Sequence, residues 1–177
     1  MNQTLTFDVS SLFNKGPGTS IKYSFDGPVE FDGLKLTQNI KGNVEIMRLQ
    51  DGLNCKISDV DTVVELVCSL CLDKFNQSIN IEHDERIYYF KTPSKIEDPN
   101  DLFLVDIKKQ EVNLTEPLRQ EIILHFPQLL VCYKGCKGIC PICGINRNTQ
   151  SCDCKEYEPE ENKPLSALKS LLKKNNG

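Results

Sequence analysis

The chain has no tryptophan and only two histidines, and none of its apolar runs approaches the ~20 residues needed to cross a bilayer. No membrane partner is therefore expected. Catalytic zinc usually draws on histidine or carboxylate ligands and keeps an open position. His83 and His125 lie far in sequence from the cysteine-rich stretch, so catalytic zinc is not expected. No cluster of acids and histidines is placed to seat two divalent metals, which argues against a nuclease. The aromatic motif of sheet-based RNA readers is also missing, and Tyr133 is the only aromatic in the basic cysteine segment. Nothing points to a small-molecule substrate or to catalysis. The start, Met1 to Asp8, has neither the basic nor the apolar part of a signal peptide, so the expected location is the cytoplasm. No internal repeat stands out.

Hydrophobic residues are 39%, low for a globular chain, so a core forms without extending throughout. The length of 177 residues suits one domain with a small metal-held appendage. A net charge of −4 argues against general nucleic-acid binding. That charge is uneven. Lys134, Lys137, Arg147 and Lys155 stand against Asp153 alone, and the acidic run Glu156, Glu158, Glu160 and Glu161 comes directly after.

Residues 1 to about 90 read as strands joined by turns. Val44 and Ile46 mark one face of a strand over 43–49, and Asp51-Gly52 is a hairpin turn into Leu53–Ile57. Thr62–Val67 is rich in β-branched residues, and Ile79, Ile81, Ile87 and Tyr89 fall at even spacing. Lys15–Gly18 and Phe25–Pro28 read as turns, and residues 91–104 as a hinge-like loop. A helix starts near Thr115, with that residue as N-cap and Pro117 in the first turn. Leu118, Ile122 and Phe126 form its buried stripe, and Pro127 ends it. The expected class is α+β, mainly β: an antiparallel sheet or partly closed barrel with one or two helices and a cysteine-rich zinc-binding segment. The expected division is a β domain over 1–128, the cysteine segment over 129–155, and an acidic linker with a short amphipathic helix over 156–177. Leu165, Leu168, Leu171 and Leu172 line one side of that last helix.

The strongest signal is the cysteine spacing. Eight of nine cysteines fall in short-spaced groups, which in a reducing compartment hold metal more often than they form disulfides. Cys140-Pro141-Ile142-Cys143-Gly144 has the form of a zinc knuckle, in which Gly144 lets the backbone curl and aim amides at sulfur. Four sulfurs ~2.3 Å from a tetrahedral zinc lie roughly 3.8 Å from one another. Cys152 and Cys154 have Cα atoms ~7 Å apart if extended, so the simplest expectation is that one of them closes the knuckle's site. Cys132 and Cys136 would then supply the remaining ligands. Six local cysteines exceed four positions, which leaves room for a second site. Cys68-Ser69-Leu70-Cys71, placed between two strand-like runs, could give half of it, with two thiolates from the C-terminal group. The rival reading of that pair is a redox dithiol, which expects a helix after the first cysteine. The next residues, Leu72 to Ile79, continue instead as strand. More broadly, a thiol-based redox or metal-sensing protein is the alternative to a structural zinc protein.

Val67–Leu72, Asn113–Glu121, Cys136–Asn146, Leu165–Lys169 and the early Phe7–Leu12 together resemble the large ribosomal RNA subunit accumulation protein (YceD) family of bacteria and plastids. The resemblance covers nearly the whole chain. It implies a non-enzymatic role in ribosome biogenesis: supporting 23S rRNA accumulation and large-subunit assembly. The implied partner is a pre-ribosomal particle, rRNA or a ribosomal protein. Some members lack most of the C-terminal cysteines, which implies that metal supports the fold and performs no chemistry. No residue-level RNA contact comes with the resemblance.

Overall fold

The computed structural model describes residues 4–95 and 102–154. The acidic linker and leucine-bearing helix expected over 156–177 lie outside them. The fold is mainly β, with a five-stranded open sheet, a separate two-stranded ribbon and two helices. In chain order these are β1 (Thr6–Asp8), α1 (Ser10–Phe13), β2 (Ser20–Gly27), β3 (Ile40–Arg48), β4 (Gly52–Val67), β5 (Lys74–Tyr89), β6 (Phe103–Leu104), β7 (Glu111–Asn113) and α2 (Thr115–Leu124). The sheet runs β2-β3-β4-β5-β6, and β1 pairs with β7. All pairings are antiparallel except β5 with β6, so the large sheet is mixed.

The two runs expected at Leu53–Ile57 and Thr62–Val67 are one strand of 16 residues. From Leu53 on, its buried positions are odd before Asp59 (Leu53, Cys55, Ile57) and even after it (Val60, Thr62, Val64, Leu66). Asp59 has φ of 54°, and the β3–β4 register shifts between Lys41 and Asn43. An extra residue moves every later side chain to the other face, which is why alternation breaks here. The partner strand turns over at the same level: Ile79 and Ile81 are buried, but then Asp84 and Tyr88. Ile87, expected in line with Ile81, is exposed. Two smaller expectations also shift. Phe25 to Gly27 belong to β2, and Phe103-Leu104 of the expected loop pairs with Tyr88-Tyr89.

Helix α2 packs on β5 through Leu118 and Ile122, both fully buried, with Phe126 partly buried beyond its end. Each such aliphatic side chain contributes about 1.5–3 kcal/mol by leaving water. The helix ends at Leu124, before Pro127. Thr115 is its first residue and does not cap it. Its hydroxyl accepts from the Leu5 amide at 2.9 Å, while Asn113 Oδ1 accepts from the Thr115 amide. The hydroxyl thus ties the N-terminal strand to the helix. Arg86 on β5 joins the layers electrostatically, reaching Asp84 at 2.5 Å and Glu121 of α2 at 3.1 Å. Tyr88 donates to the Asn113 carbonyl, fixing β7 to the sheet. The short helix α1, which alternation does not reveal, begins where Asp8 Oδ1 accepts from the Ser10 amide.

Candidate metal centre

The β4–β5 hairpin projects its tip beyond the core, and that tip is a knuckle. After the last strand pair, Val67 with Lys74, the Cys68 amide donates to the Asp73 carbonyl and the Leu72 amide to the Cys68 carbonyl, both at 2.9 Å. Leu72 is left-handed, with φ of 64°. The second knuckle repeats the pattern. The Cys140 amide donates to the Ile145 carbonyl at 2.8 Å, the Gly144 amide to the Cys140 carbonyl at 2.9 Å, and Gly144 has φ of 76°. The turns are therefore equivalent, with leucine in one where glycine sits in the other. An L-residue in this conformation costs about 1–2 kcal/mol that glycine avoids.

The eight short-spaced cysteines form two groups of four. Cys68 and Cys71 meet Cys132 and Cys136; Cys140 and Cys143 meet Cys152 and Cys154. Within each group all sulfurs lie within 4.8 Å of one another. In the first, Cys68 Sγ is 3.9 Å from Cys136 Sγ and Cys71 Sγ is 3.6 Å from Cys132 Sγ. These match the roughly 3.8 Å edge of a zinc–thiolate tetrahedron. Two expectations are corrected. Cys132 and Cys136 leave the second knuckle and join the hairpin knuckle, as the second-site alternative has it, and Cys152 and Cys154 both join the second group. Cys152 and Cys154 lie in a stretch that is not a strand, so the ~7 Å extended spacing does not apply and both thiols reach one site.

Backbone and side-chain donors surround the sulfurs. Burial opposes a thiolate at Cys68, but the amides of Cys71, Cys132 and Leu70 outweigh it and bring the thiol down to about 6. The amides of Cys143 and Ile142 do the same at Cys140, also to about 6. The neighbours respond oppositely. Cys143 is the main influence raising Cys154 to about 12, and burial leads in raising Cys132. Four thiols in so small a volume cannot all ionise without a cation between them. Asn148 Nδ2 donates to Cys136 Sγ at 3.3 Å, and Arg147 Nη2 lies 4.0 Å from Cys140 Sγ. Each group could hold one metal ion with four thiolates, and neither includes histidine or carboxylate. Such a donor set, with no position left for water or substrate, has the character of a structural site.

The two groups abut. The Ile139 amide donates to the Leu70 carbonyl at 2.9 Å, and Asn146 Nδ2 to Asp73 Oδ2 at 2.6 Å. Gly138 makes this possible: its φ is 68°, and a Cβ there would stand 2.9 Å from the Leu70 carbonyl oxygen. The segment before them is held by the Ser69 amide and hydroxyl, which both donate to the Leu130 carbonyl. Sequence reasoning passed over Leu70, Asp73, Asn146 and Asn148. The one available clue was Leu72 standing where the other knuckle has Gly144. Cys55 belongs to neither group. It is fully buried under the sheet, and burial raises its thiol to about 12. His83 and His125 are exposed and belong to neither group; His125 sits against Glu121.

A family model described as large ribosomal RNA subunit accumulation protein YceD matches residues 58–172, a span containing all eight grouped cysteines. The chain belongs to this family. One curated relative, a large ribosomal RNA subunit accumulation protein YCED homolog 1, chloroplastic, from Zea mays, is 38% identical over 65 residues, covering 36% of this chain and 21% of the relative. A protein of the same description from Arabidopsis thaliana is 29% identical over 69 residues, covering 38% of this chain and 22% of its own length. The matched stretches thus span about a fifth of either relative. No solved structure matches. Among the described residues, no helix is long and apolar enough to cross a membrane.

Proposed function

We propose that this chain is a non-enzymatic ribosome-biogenesis factor that supports 23S rRNA accumulation and large-subunit assembly, with two structural zinc ions held by its eight grouped cysteines. The observation that carries this reading is the conjunction of two all-thiol tetrads with membership of a family described by large ribosomal RNA subunit accumulation. Cys68, Cys71, Cys132 and Cys136 hold one ion; Cys140, Cys143, Cys152 and Cys154 hold the other. In the proposed division the β domain spans 1–128, the metal segment 129–155 and the tail 156–177. The first ion clamps the metal segment onto the β hairpin. The partner is a pre-ribosomal particle, rRNA or a ribosomal protein, met in the cytoplasm. An all-cysteine site also accepts iron, and a red-brown colour in the purified protein identifies that case.

The low thiol values at Cys68 and Cys140 favour a second reading, a redox or metal-sensing protein. The same backbone amides that lower them also stabilise metal-bound thiolate, and the thiols gather in fours where a redox site needs a pair. Titrating reactive thiols with and without zinc separates the two: a structural protein shields eight thiols only when loaded, while a redox protein keeps a reactive pair in the presence of zinc. The functional experiment is deletion of the gene. The 23S to 16S rRNA ratio should fall, and the protein should sediment with large-subunit precursors. An unchanged ratio in both slow and fast growth rejects the role.

A further inference from the structure

The tips of the two knuckles are apolar and exposed. Leu72 is 61% exposed in its left-handed turn, Leu70 beside it 45%, and Ile142 of the second knuckle 55%. Ile139, 38% exposed, is bonded through its amide to the Leu70 carbonyl, which brings the apolar entry of the second knuckle against the tip of the first to form one face. Leucine at position 72 is a poor choice for the turn, which Gly144 makes without strain, and its side chain is largely uncovered among the described residues. A strained residue presenting a large apolar side chain to solvent points to contact with something outside the described fold.

We propose that this face is the docking site of the chain's own C-terminal segment, residues 164–174. The described chain ends at Cys154, whose sulfur belongs to the second group with Cys140 and Cys143, so the link to residues 164–174 starts next to the knuckle that carries Ile142. Residues 155–163 can span up to about 30 Å when extended, more than enough to return. Their glutamates, Glu156, Glu158, Glu160 and Glu161, complement Lys134 and Lys137 of the metal segment. Leu165, Leu168, Leu171 and Leu172 then supply an apolar stripe at helical spacing. The family match reaches residue 172, so face and segment belong to one matched unit. The proposal does not depend on the ribosomal role.

The test is hydrogen exchange on the metal-loaded full chain with two variants, each read at the remote element. Leu72→Gly relaxes the turn and removes only the side chain; it should speed exchange across 164–174 by about tenfold or more. Leu168→Asp with Leu172→Asp should speed exchange at the amides of Leu70, Leu72 and Ile139 by a similar factor, with metal content unchanged in both proteins. Unchanged remote exchange in both variants overturns the proposal. So does protection that grows with protein concentration, which would make a second copy the occupant. Protection of 164–174 that arises only when another macromolecule is added overturns it as well.

Discussion

Gly138 offers a quantitative check on how the two cysteine groups are joined. Two glycines in the cysteine segment have nearly the same φ, Gly138 at 68° and Gly144 at 76°, but of the two only Gly138 has a close neighbour. An alanine at either site incurs the left-handed cost of about 1–2 kcal/mol. At Gly144 nothing lies within 4 Å of the new Cβ, so the cost ends there. At Gly138 the Cβ meets the Leu70 carbonyl oxygen at 2.9 Å and Leu70 Cβ at 3.4 Å. Backbone cannot swing aside as a side-chain end can, so the segment must retreat, at an overpacking cost of about 1–3 kcal/mol. Gly138→Ala should therefore exceed Gly144→Ala by that second amount. For a chain of this size each kcal/mol moves Tm by roughly 2–4 °C. The segment could instead peel away locally, so the assay pairs thermal unfolding of the metal-loaded protein with exchange at the Ile139 amide, which donates to that same carbonyl. Equal Tm losses in the two variants, with Ile139 exchange unchanged, would refute the proposed junction between knuckles.

Cys140→Ser should release one of two bound zinc ions by elemental analysis and loosen residues 138–154, leaving the sheet's exchange untouched. Cys68→Ser should release the other and free residues 129–136 as well. Arg86→Met should cost about 3–5 kcal/mol at neutral pH, because it leaves the buried Asp84 carboxylate without its cation and the half-buried Glu121 with only His125 beside it. Burial already raises the Asp84 carboxyl against the pull of Arg86. A raised carboxyl favours folding below its unfolded value and loses that benefit as pH rises, so denaturant titrations of this variant should show recovery as pH falls toward 4. Metal retention should run the opposite way. Protons compete with a metal for every one of its thiolates, so falling pH should displace both ions, read by a zinc dye.

What the sequence disclosed was local. Cys-x-x-Cys turns, the Asp51-Gly52 hairpin and the Leu118–Ile122 stripe each lie within a few residues, where spacing alone sets geometry. Its failures involved partners far along the chain. The choice of Cys132 over Cys140 as companion to Cys71 depends on how β5, β7 and α2 route the chain back to the hairpin tip, 61 residues later. Thr115 looks like a cap until Leu5 arrives from 110 residues away to occupy its hydroxyl. The turnover at Asp59 is a failure of another kind, and a local one. A single left-handed residue keeps the strand continuous while exchanging its faces, so a two-residue periodicity reads one strand as two.

That routing also makes the two cysteine groups unequal in what they hold together. The second closes within residues 140–154 and orders little beyond itself. The first joins the end of the β hairpin to the chain emerging from α2, so it decides where residues 129–136 lie. Apart from its sulfurs, that stretch is tied to the tip by the Ser69–Leu130 hydrogen bonds and by the partial burial of Leu130. The second group then docks on the first through Gly138, Leu70 and the Asn146–Asp73 bond, and inherits its position. Loss of the first group should therefore displace the second, whereas loss of the second leaves the first supported by the hairpin beneath it. The dependence runs in one direction because only the first knuckle grows out of the sheet.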